Sequence, residues 1–371
     1  MYKTGKHVAW YRRLTLFIGM IKVLAILIII IVIVALIAGW LVFGPATKFS
    51  GNTKYLYVRE DADAKTQILN QLDTANILRS VFVVKLLGDP AKAFNRITPG
   101  RFEIKKRESI FSVLKTLRNN HQSPVRLVIN KLRLPQDLAK IIGKNFSTDS
   151  VSAVEFLTNN DSLQSLGVDT NTLMTIIIPD TYFLNWTSST KKILQRLKDE
   201  QEKFWNKDQR LEKAGALALT PQQVYTLASI VEEETNKNDE KGNIASVYMN
   251  RLNQQMPLGA DPTIKFALKN FALKRIYYNQ LNTESPYNTY RNKGLPPGPI
   301  CTPQTVTIDA VLNAPKTDYL FFVAKSDFSG YHQFTSNFAE HEKYAKIYQQ
   351  ALNEQIALRQ QKDSLNKTIQ H

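Results

Sequence analysis

The 371-residue sequence contains a single cysteine, Cys301, so no disulfide can form within the chain and packing alone must hold the fold. There is no HExxH pair, and His332 and His341 stand nine residues apart, which is not a zinc-ligand spacing. No metal site and no cofactor are therefore expected. The absence of a GxSxG elbow argues against a Ser/His/Asp hydrolase, and the absence of a Gly-rich phosphate loop argues against a nucleotide enzyme. Zinc-finger spacing, RNP-type aromatics and a basic amphipathic recognition helix are also missing. The formal charge of +16 is accordingly not read as a nucleic-acid signature. No internal repeat is visible.

What is present is ordinary in bulk and uneven in distribution. The hydrophobic fraction of 43% and charged fraction of 22% are those of a globular protein with room for two or three domains. Lys3, Lys6, Arg12, Arg13 and Lys22 occur with no acidic residue before position 23, so a net charge of +11 remains for the rest of the chain. A basic exterior suits an anionic polymer or a membrane surface. Residues 23–43, "VLAILIIIIVIVALIAGWLVF", are 21 in a row without a charge, enough as a helix to cross a hydrocarbon core of about 30 Å. A cleaved signal peptide is the competing reading, but its apolar part is usually about 7 to 15 residues and ends in a small-x-small site, which is not seen here. Four basic residues precede Leu14, against Lys48 and Lys54 in the stretch 44–56. That asymmetry predicts a cytoplasmic N-terminus, residues 1–22, and an exterior for everything after the anchor.

The exterior reads as small α/β modules, an α+β chain. "YLYV" (55–58), "RFEIKK" (101–106) and "VRLVI" (125–129) have strand character. Residues 64–87 have helical spacing with a break near Thr74, and residues 108–118 and 134–145 form helices, the last with Pro135 in its first turn. The stretch 188–205 is a polar helix with a narrow stripe at Ile193, Leu194, Leu197 and Phe204. The main boundary is expected near Asn145, dividing a membrane-proximal region, 44–145, from a catalytic domain, 146–352. A softer boundary lies near Ala216, and a polar tail, 353–371, is expected to fray.

Three consecutive glutamates in "TPQQVYTLASIVEEET" raise the central question. Thr220 can cap the helix, Pro221 suits its first position and Gln223 can complete a capping box, which fixes the phase. Val224, Leu227, Ala228 and Val231 then share a face that continues to Glu234, while Glu232 and Glu233 are expected to reach solvent more easily. A glutamate on a buried face is costly unless paired, or unless its raised pKa is useful, as it is for protonating a glycosidic oxygen. The structural alternative is a salt bridge to Arg251 on the next helix, "NIASVYMNRL". Helix ends shift by a residue or two, so Glu232 stays open as the acid.

Downstream, "GADPTI" (259–264) is a turn leading into a helix or strand, or simply an Asp-Pro turn. "SPYNTYRNKGLPPGP" (285–299) combines proline stiffness with tyrosine rings and amide donors, as a sugar cleft does; a structural Pro-rich turn is the alternative. "YLFFVA" (319–324) reads as a buried strand.

Together, "LASIVEEET", "NIASVYMNRL", "LGADPTI", "SPYNTYRNKGLPPGPI", "YLFFVA" and "HQFTSNFAEHEKY", with "IPDTYFLNW" upstream, resemble the endolytic murein transglycosylase family, MltG or YceG-like, over about residues 178–348. The resemblance implies a single-pass inner-membrane protein with a LysM-like α/β subdomain and a mixed α/β catalytic domain. It implies internal cutting of nascent peptidoglycan strands between N-acetylmuramic acid and N-acetylglucosamine, with peptidoglycan synthases as partners. The acid before the threonine of the E-x-E-T segment would be Glu234. Asp261, Thr263, Tyr287, Asn288 and Tyr290 would line the cleft, with His332 and Asn337 as further contacts or as fold-supporting hydrogen bonders. One departure is Gln304 where the family often has glycine, which should alter a turn and not the chemistry. A non-catalytic wall-binding scaffold and a hydrolytic muramidase remain as alternatives.

Overall fold

An apolar helix with no polar face has nothing to gain from a protein core on one side only, and α1 (Thr4–Phe43) shows that character: its segment Leu16–Phe43 has a mean hydropathy of 3.4 and is exposed along its length. By length and composition this is one helix able to cross a membrane. It contains the 21 uncharged residues and extends N-terminally past Lys22. The computed structural model describes the backbone of residues 4–369 and the side chains of residues 16–361, so Lys3, Lys6, Arg12 and Arg13 lie outside the described side chains.

The chain divides into two compact units, Met1–Pro124 with Asn185–Thr187, and the remainder. In the first, β1 (Thr53–Val58) is followed by α2 (Ala64–Thr74), α3 (Phe82–Gly88), β2 (Gly100–Lys105) and α4 (Ile110–Arg118). The helical stretch after Ala64 does break at Thr74. β1 and β2 pair antiparallel from Thr53 opposite Lys105 to Val58 opposite Gly100. Their inward residues Leu56, Val58, Phe102 and Ile104 meet Ile68 and Leu72 of α2 and the stripe Ile110, Val113, Leu114 and Leu117 of α4. Gln71 fastens α2 to the sheet by bonding both the N–H and the carbonyl of Tyr57 at 2.9 and 2.6 Å.

The second unit runs through β3 (Val125–Val128), α5 (Pro135–Asn145), α6 (Ser150–Leu157), α7 (Asn160–Gln164), β4 (Thr181–Leu184), α8 (Thr190–Trp205) and α9 (Arg210–Ala216). It continues with α10 (Pro221–Glu234), α11 (Lys241–Asn253), α12 (Asp261–Ala267), α13 (Thr305–Leu312), β5 (Phe321–Ala324), β6 (His332–Thr335) and α14 (Phe338–Ile369). The division after Pro124 precedes the expected boundary near Asn145, because β3 pairs antiparallel with β4 some fifty residues later and is drawn into the second unit with α5. β5 and β6 form a hairpin whose first strand is only half-buried, less enclosed than its apolar sequence suggests. Helix α14 carries the polar stretch after Leu352 on to Ile369, in keeping with its Glu, Gln, Lys, Leu and Ala content.

Helix α10 is the axis of this unit. All nine residues from Val224 to Glu232 are buried, among α9, α11, α12 and α13. Tyr225 donates to the Ile177 carbonyl at 2.5 Å, and the Ser229 hydroxyl accepts the Ile300 N–H at 3.0 Å. These bonds seat the two polar side chains without leaving a buried donor unmatched.

Candidate active site

The phase of α10 is set at its start. The Thr220 hydroxyl accepts the Gln223 N–H at 3.2 Å, Gln223 Oε1 accepts the Thr220 N–H at 2.8 Å, and Pro221 occupies the first turn. From that fixed start the three glutamates at the other end enter three different environments.

Glu232 departs from the expectation of easy solvent access: it is 6% exposed. Because α10 is covered on every side, its apolar stripe marks one packed face among several. Glu232 instead accepts hydrogen bonds from Lys241 Nζ at 3.0 Å and from the Thr307 hydroxyl, with Lys131 Nζ at 3.8 Å. Glu233 is partly buried and meets Lys131 at 3.1 Å and Arg133 at 3.0 Å. Burial would raise its pKa, but the two cations, Lys131 first, outweigh it and hold the carboxyl below its ordinary range.

Glu234 is different. Among the described residues it has no ion-pair partner; its Oε1 accepts a hydrogen bond from the Tyr248 hydroxyl at 2.5 Å. Burial pushes its pKa up to about 7, against the opposing pull of that hydrogen bond, with Asp261 adding to the rise. The alternative, a salt bridge to Arg251, does not form. Arg251 gives its Nε to the Leu320 carbonyl and an Nη to the Leu258 carbonyl, both at 2.7 Å, and burial lowers its pKa. The guanidinium thus ties the β5 approach to the turn before α12 and leaves the Glu234 carboxyl uncompensated.

Glu234 opens into a cleft of about 570 Å³ shared with Tyr248, Arg251, Asp261, Tyr290, Phe321, Phe322 and His341. Asp261 sits in the first turn of α12 and accepts the Tyr290 hydroxyl at 2.6 Å. Gly259, at φ 63°, makes the bend before it; a Cβ there would stand 3.3 Å from Arg251. His341 stacks on Phe321, centroids 5.2 Å apart at 24°, and its buried Nδ1 has no hydrogen-bond partner among the described residues. Burial, then the nearby Arg251, lowers the pKa of this imidazole, which keeps it neutral at physiological pH.

Of the residues anticipated from the sequence, Glu234, Asp261 and Tyr290 meet in this cleft and the others stand behind or beside it. Thr263 is fully buried and donates to the Ala260 carbonyl at 2.7 Å, with Thr289 at 2.9 Å. Asn288 is equally enclosed: its amide donates to the carbonyls of Leu281 and Thr283, and its carbonyl accepts the Tyr290 N–H. It organises the loop that delivers Tyr290. Tyr287 packs against Phe266 at 4.7 Å, and burial, then Asp169, pushes its phenol up to about 12. His332 bonds Glu240 through both its backbone N–H, at 2.7 Å, and its ring, at 3.0 Å, which anchors β6 to the start of α11. Asn337 is exposed and accepts the Glu340 N–H at 2.9 Å in the first turn of α14.

Sequence reasoning passed over Tyr248, Arg251 and His341 as cleft residues. Tyr248 had a signal, since it follows Ile244 by four positions on the buried face of α11. His341 had none, because its place depends on how α14 meets β5. In the loop 285–299, Gly298 packs closely on a neighbouring segment: a Cβ there would lie 2.0 Å from the Asn171 carbonyl oxygen, so only glycine fits. Gln304 precedes α13 at φ −66°, a conformation open to any residue, so glycine is not needed there.

With this geometry in hand, comparison with known proteins is decisive at the level of family. The model of the YceG-like family matches residues 56–347. This chain belongs to that family. A protein of Bacillus subtilis named endolytic murein transglycosylase is 43% identical over 131 residues, 35% of this chain and 36% of the relative. One of the same name from Streptococcus pneumoniae is 30% identical over 191 residues, 50% of this chain and 34% of the relative. The matches thus span about a third of the length of those curated relatives. A crystal structure of a YceG-like protein from Listeria monocytogenes shares the fold with a TM-score of 0.52 at 23% identity, over 79% of this chain and 99% of that one.

Proposed function

We propose that the chain is an endolytic lytic transglycosylase that cuts peptidoglycan glycan strands between N-acetylmuramic acid and N-acetylglucosamine. The observation that carries this is Glu234: a cleft carboxyl that, among the described residues, has no ion-pair partner, and whose pKa is pushed up to about 7, so that it holds a proton yet can release it. The names of the curated relatives support the substrate class.

In the reaction, the Glu234 carboxyl gives its proton to the bridging oxygen as the bond from that oxygen to the muramyl anomeric carbon breaks. The sugar's own acetamido group supports the positive charge developing there. Glu234, now ionised, takes the proton of the muramyl 6-hydroxyl while that oxygen bonds to the anomeric carbon and closes a 1,6-anhydro ring. No water is consumed, and Glu234 ends protonated as it began. Tyr248 holds the carboxyl in place throughout, and Tyr290 and Asp261 offer polar contacts to sugar hydroxyls. Thr263, Tyr287 and Asn288 act from behind the cleft wall, His332 through the β6 anchor.

A second reading, a muramidase, draws on Asp261, a second carboxylate in the same cleft that can serve a water or a covalent intermediate. Mass spectrometry of the products separates the two, since anhydro ends weigh one water less than reducing ends. Anhydro products that vanish with Glu234→Gln are expected; reducing ends overturn the lytic mechanism.

The same reading makes α1 a single-pass anchor in the inner membrane with a cytoplasmic N-terminus. Residues 44–145 would include a LysM-like wall-binding subdomain ahead of a catalytic region 146–352. A catalytic unit held close to the bilayer reaches strands still tethered to lipid, which favours terminating nascent strands beside a peptidoglycan synthase. Co-purification with a synthase is the expected result, and unchanged strand lengths in a deletion strain count against it.

A further inference from the structure

The end of the apolar helix is fixed to the first unit. Gly44 donates to the Trp40 carbonyl at 2.8 Å, Ala46 exchanges backbone bonds with Glu108 and Arg79 at 3.0 and 2.8 Å, and the Phe43 ring meets Phe111 of α4 at 5.3 Å. With α1 in a bilayer, whatever packs around Val42 and Phe43 stands at the level of the lipid headgroups.

Two adjoining hollows occupy that corner. The first, about 340 Å³, is lined by Val42, Leu87, Phe111 and Leu114, with the exposed Lys115 and Arg118 beside them. The second, about 730 Å³, shares Arg118 and adds Lys92 and Arg96. Among the described residues, none of these four cationic side chains has a hydrogen-bond or ion-pair partner. Across residues 79–124 there are ten lysines and arginines against three acidic residues. Of those three, Asp89 is bound to Lys65 at 2.6 Å, and Glu108 accepts the Ser112 hydroxyl and the Lys105 N–H. Nearby on α3, Phe82 and Leu86, one turn apart, are 69% and 59% exposed.

The structure assigns to this corner a binding site for an anionic phospholipid of the leaflet into which α1 emerges. The upper methylenes of an acyl chain lie in the groove of Val42, Leu87, Phe111 and Leu114, and the phosphate is held by Arg118 with Lys115, Lys92 and Arg96. A free anion would need only the cations, and a glycan would need hydrogen-bonding and aromatic walls. An apolar groove that shares an arginine with a cationic hollow, at the end of a membrane-spanning helix, fits an amphiphile.

The test uses the full chain in detergent micelles, titrated with phosphatidylglycerol, phosphatidylcholine, glycerophosphoglycerol and inorganic phosphate. Phosphatidylglycerol should bind about tenfold more tightly than phosphatidylcholine. Neither chainless phosphate compound should displace it at millimolar concentration. The triple variant Lys92→Glu, Arg96→Glu, Arg118→Glu should lose that preference while keeping the wild-type unfolding midpoint in denaturant. Equal binding of the two lipids by the wild-type chain overturns the site, and so does an unchanged preference in the variant. Full displacement by inorganic phosphate overturns the acyl groove and leaves a free-anion site instead.

Discussion

The last turn of α10 carries three glutamates, and two of them, Glu232 and Glu234, are drawn in from solvent into opposite electrical situations. Glu232 is met by an ammonium, a hydroxyl and a second, more distant ammonium. Glu234 accepts a hydrogen bond from a phenol and, among the described residues, has no ion-pair partner. One helix end therefore holds a carboxyl paired with cations beside one that is not, and the difference lies in what α11 presents to each. Lys241 opens that helix near Glu232, and Tyr248, two turns later, reaches Glu234. Burial beside cations leaves a carboxyl paired; burial without an ion pair raises its pKa toward neutrality.

The sharpest way to break this contrast is to neutralise each glutamate in turn. Glu234→Gln keeps the shape and removes the transferable proton, so glycan cleavage should fall by about 10³-fold or more, with glycan binding retained. Anhydro-product release measured against pelleting on purified glycan checks both. If Glu232→Gln abolishes cleavage in a well-folded protein and Glu234→Gln does not, the roles must be exchanged.

The next effect is on stability. Lys241→Met strands Glu232 in the interior with only the Thr307 hydroxyl and the distant Lys131, and should cost about 3 kcal/mol. Denaturant unfolding reads this directly. The double variant Glu232→Gln with Lys241→Met should recover much of the loss, because no buried charge is then left alone.

How much of this contrast could be read beforehand depended on where the constraint lay. The cap at Thr220, the break at Thr74 and the choice of Glu234 followed from local rules, since capping and helical periodicity act within a few residues. The burial of Glu232 did not, because the phase argument assumed a helix with one inner face. α10 is enclosed on several sides by segments as distant as α13, which supplies Thr307. The same distance hid His341 and promoted His332, two histidines of similar sequence surroundings separated only by the way a hairpin and α14 come together. The composition of the Pro-rich loop points to sugar contact, but nothing local says which of its side chains face the cleft. Asn288 is instead spent on carbonyls of its own loop, and Tyr290 is what that bonding presents.

A smaller effect tests the phenol. The Tyr248 hydrogen bond favours the ionised form of Glu234 and so lowers a pKa that burial raises. Tyr248→Phe removes that opposition, and the alkaline limb of the pH–rate profile, set by loss of the Glu234 proton near pH 7, should move to higher pH. Cleavage below that limb should drop about tenfold as the carboxyl loses its orientation. A limb that stays in place would show that some other group sets it.

The smallest effect is also the one that separates the two chemistries. Asp261 raises the Glu234 pKa through its charge and accepts the Tyr290 hydroxyl, a bond that an asparagine carbonyl can still accept. In a lytic transglycosylase, Asp261→Asn therefore shifts the alkaline limb to lower pH, opposite to Tyr248→Phe. It costs only a few-fold at pH 8 and almost nothing at pH 5, where Glu234 is protonated in either protein. The stability change has a fixed sign as well. A glutamate whose folded pKa lies near 7, above its ordinary 4.5, contributes fully below pH 4.5 and loses that contribution as pH rises through 7. Lowering the folded pKa shrinks the loss, so the Asp261→Asn protein should be slightly the more stable at pH 8. In a muramidase the same substitution removes the base or nucleophile, and cleavage falls by about 10²-fold or more at every pH. A pH–rate profile of this one variant thus reads whether the cleft works with one carboxyl or two.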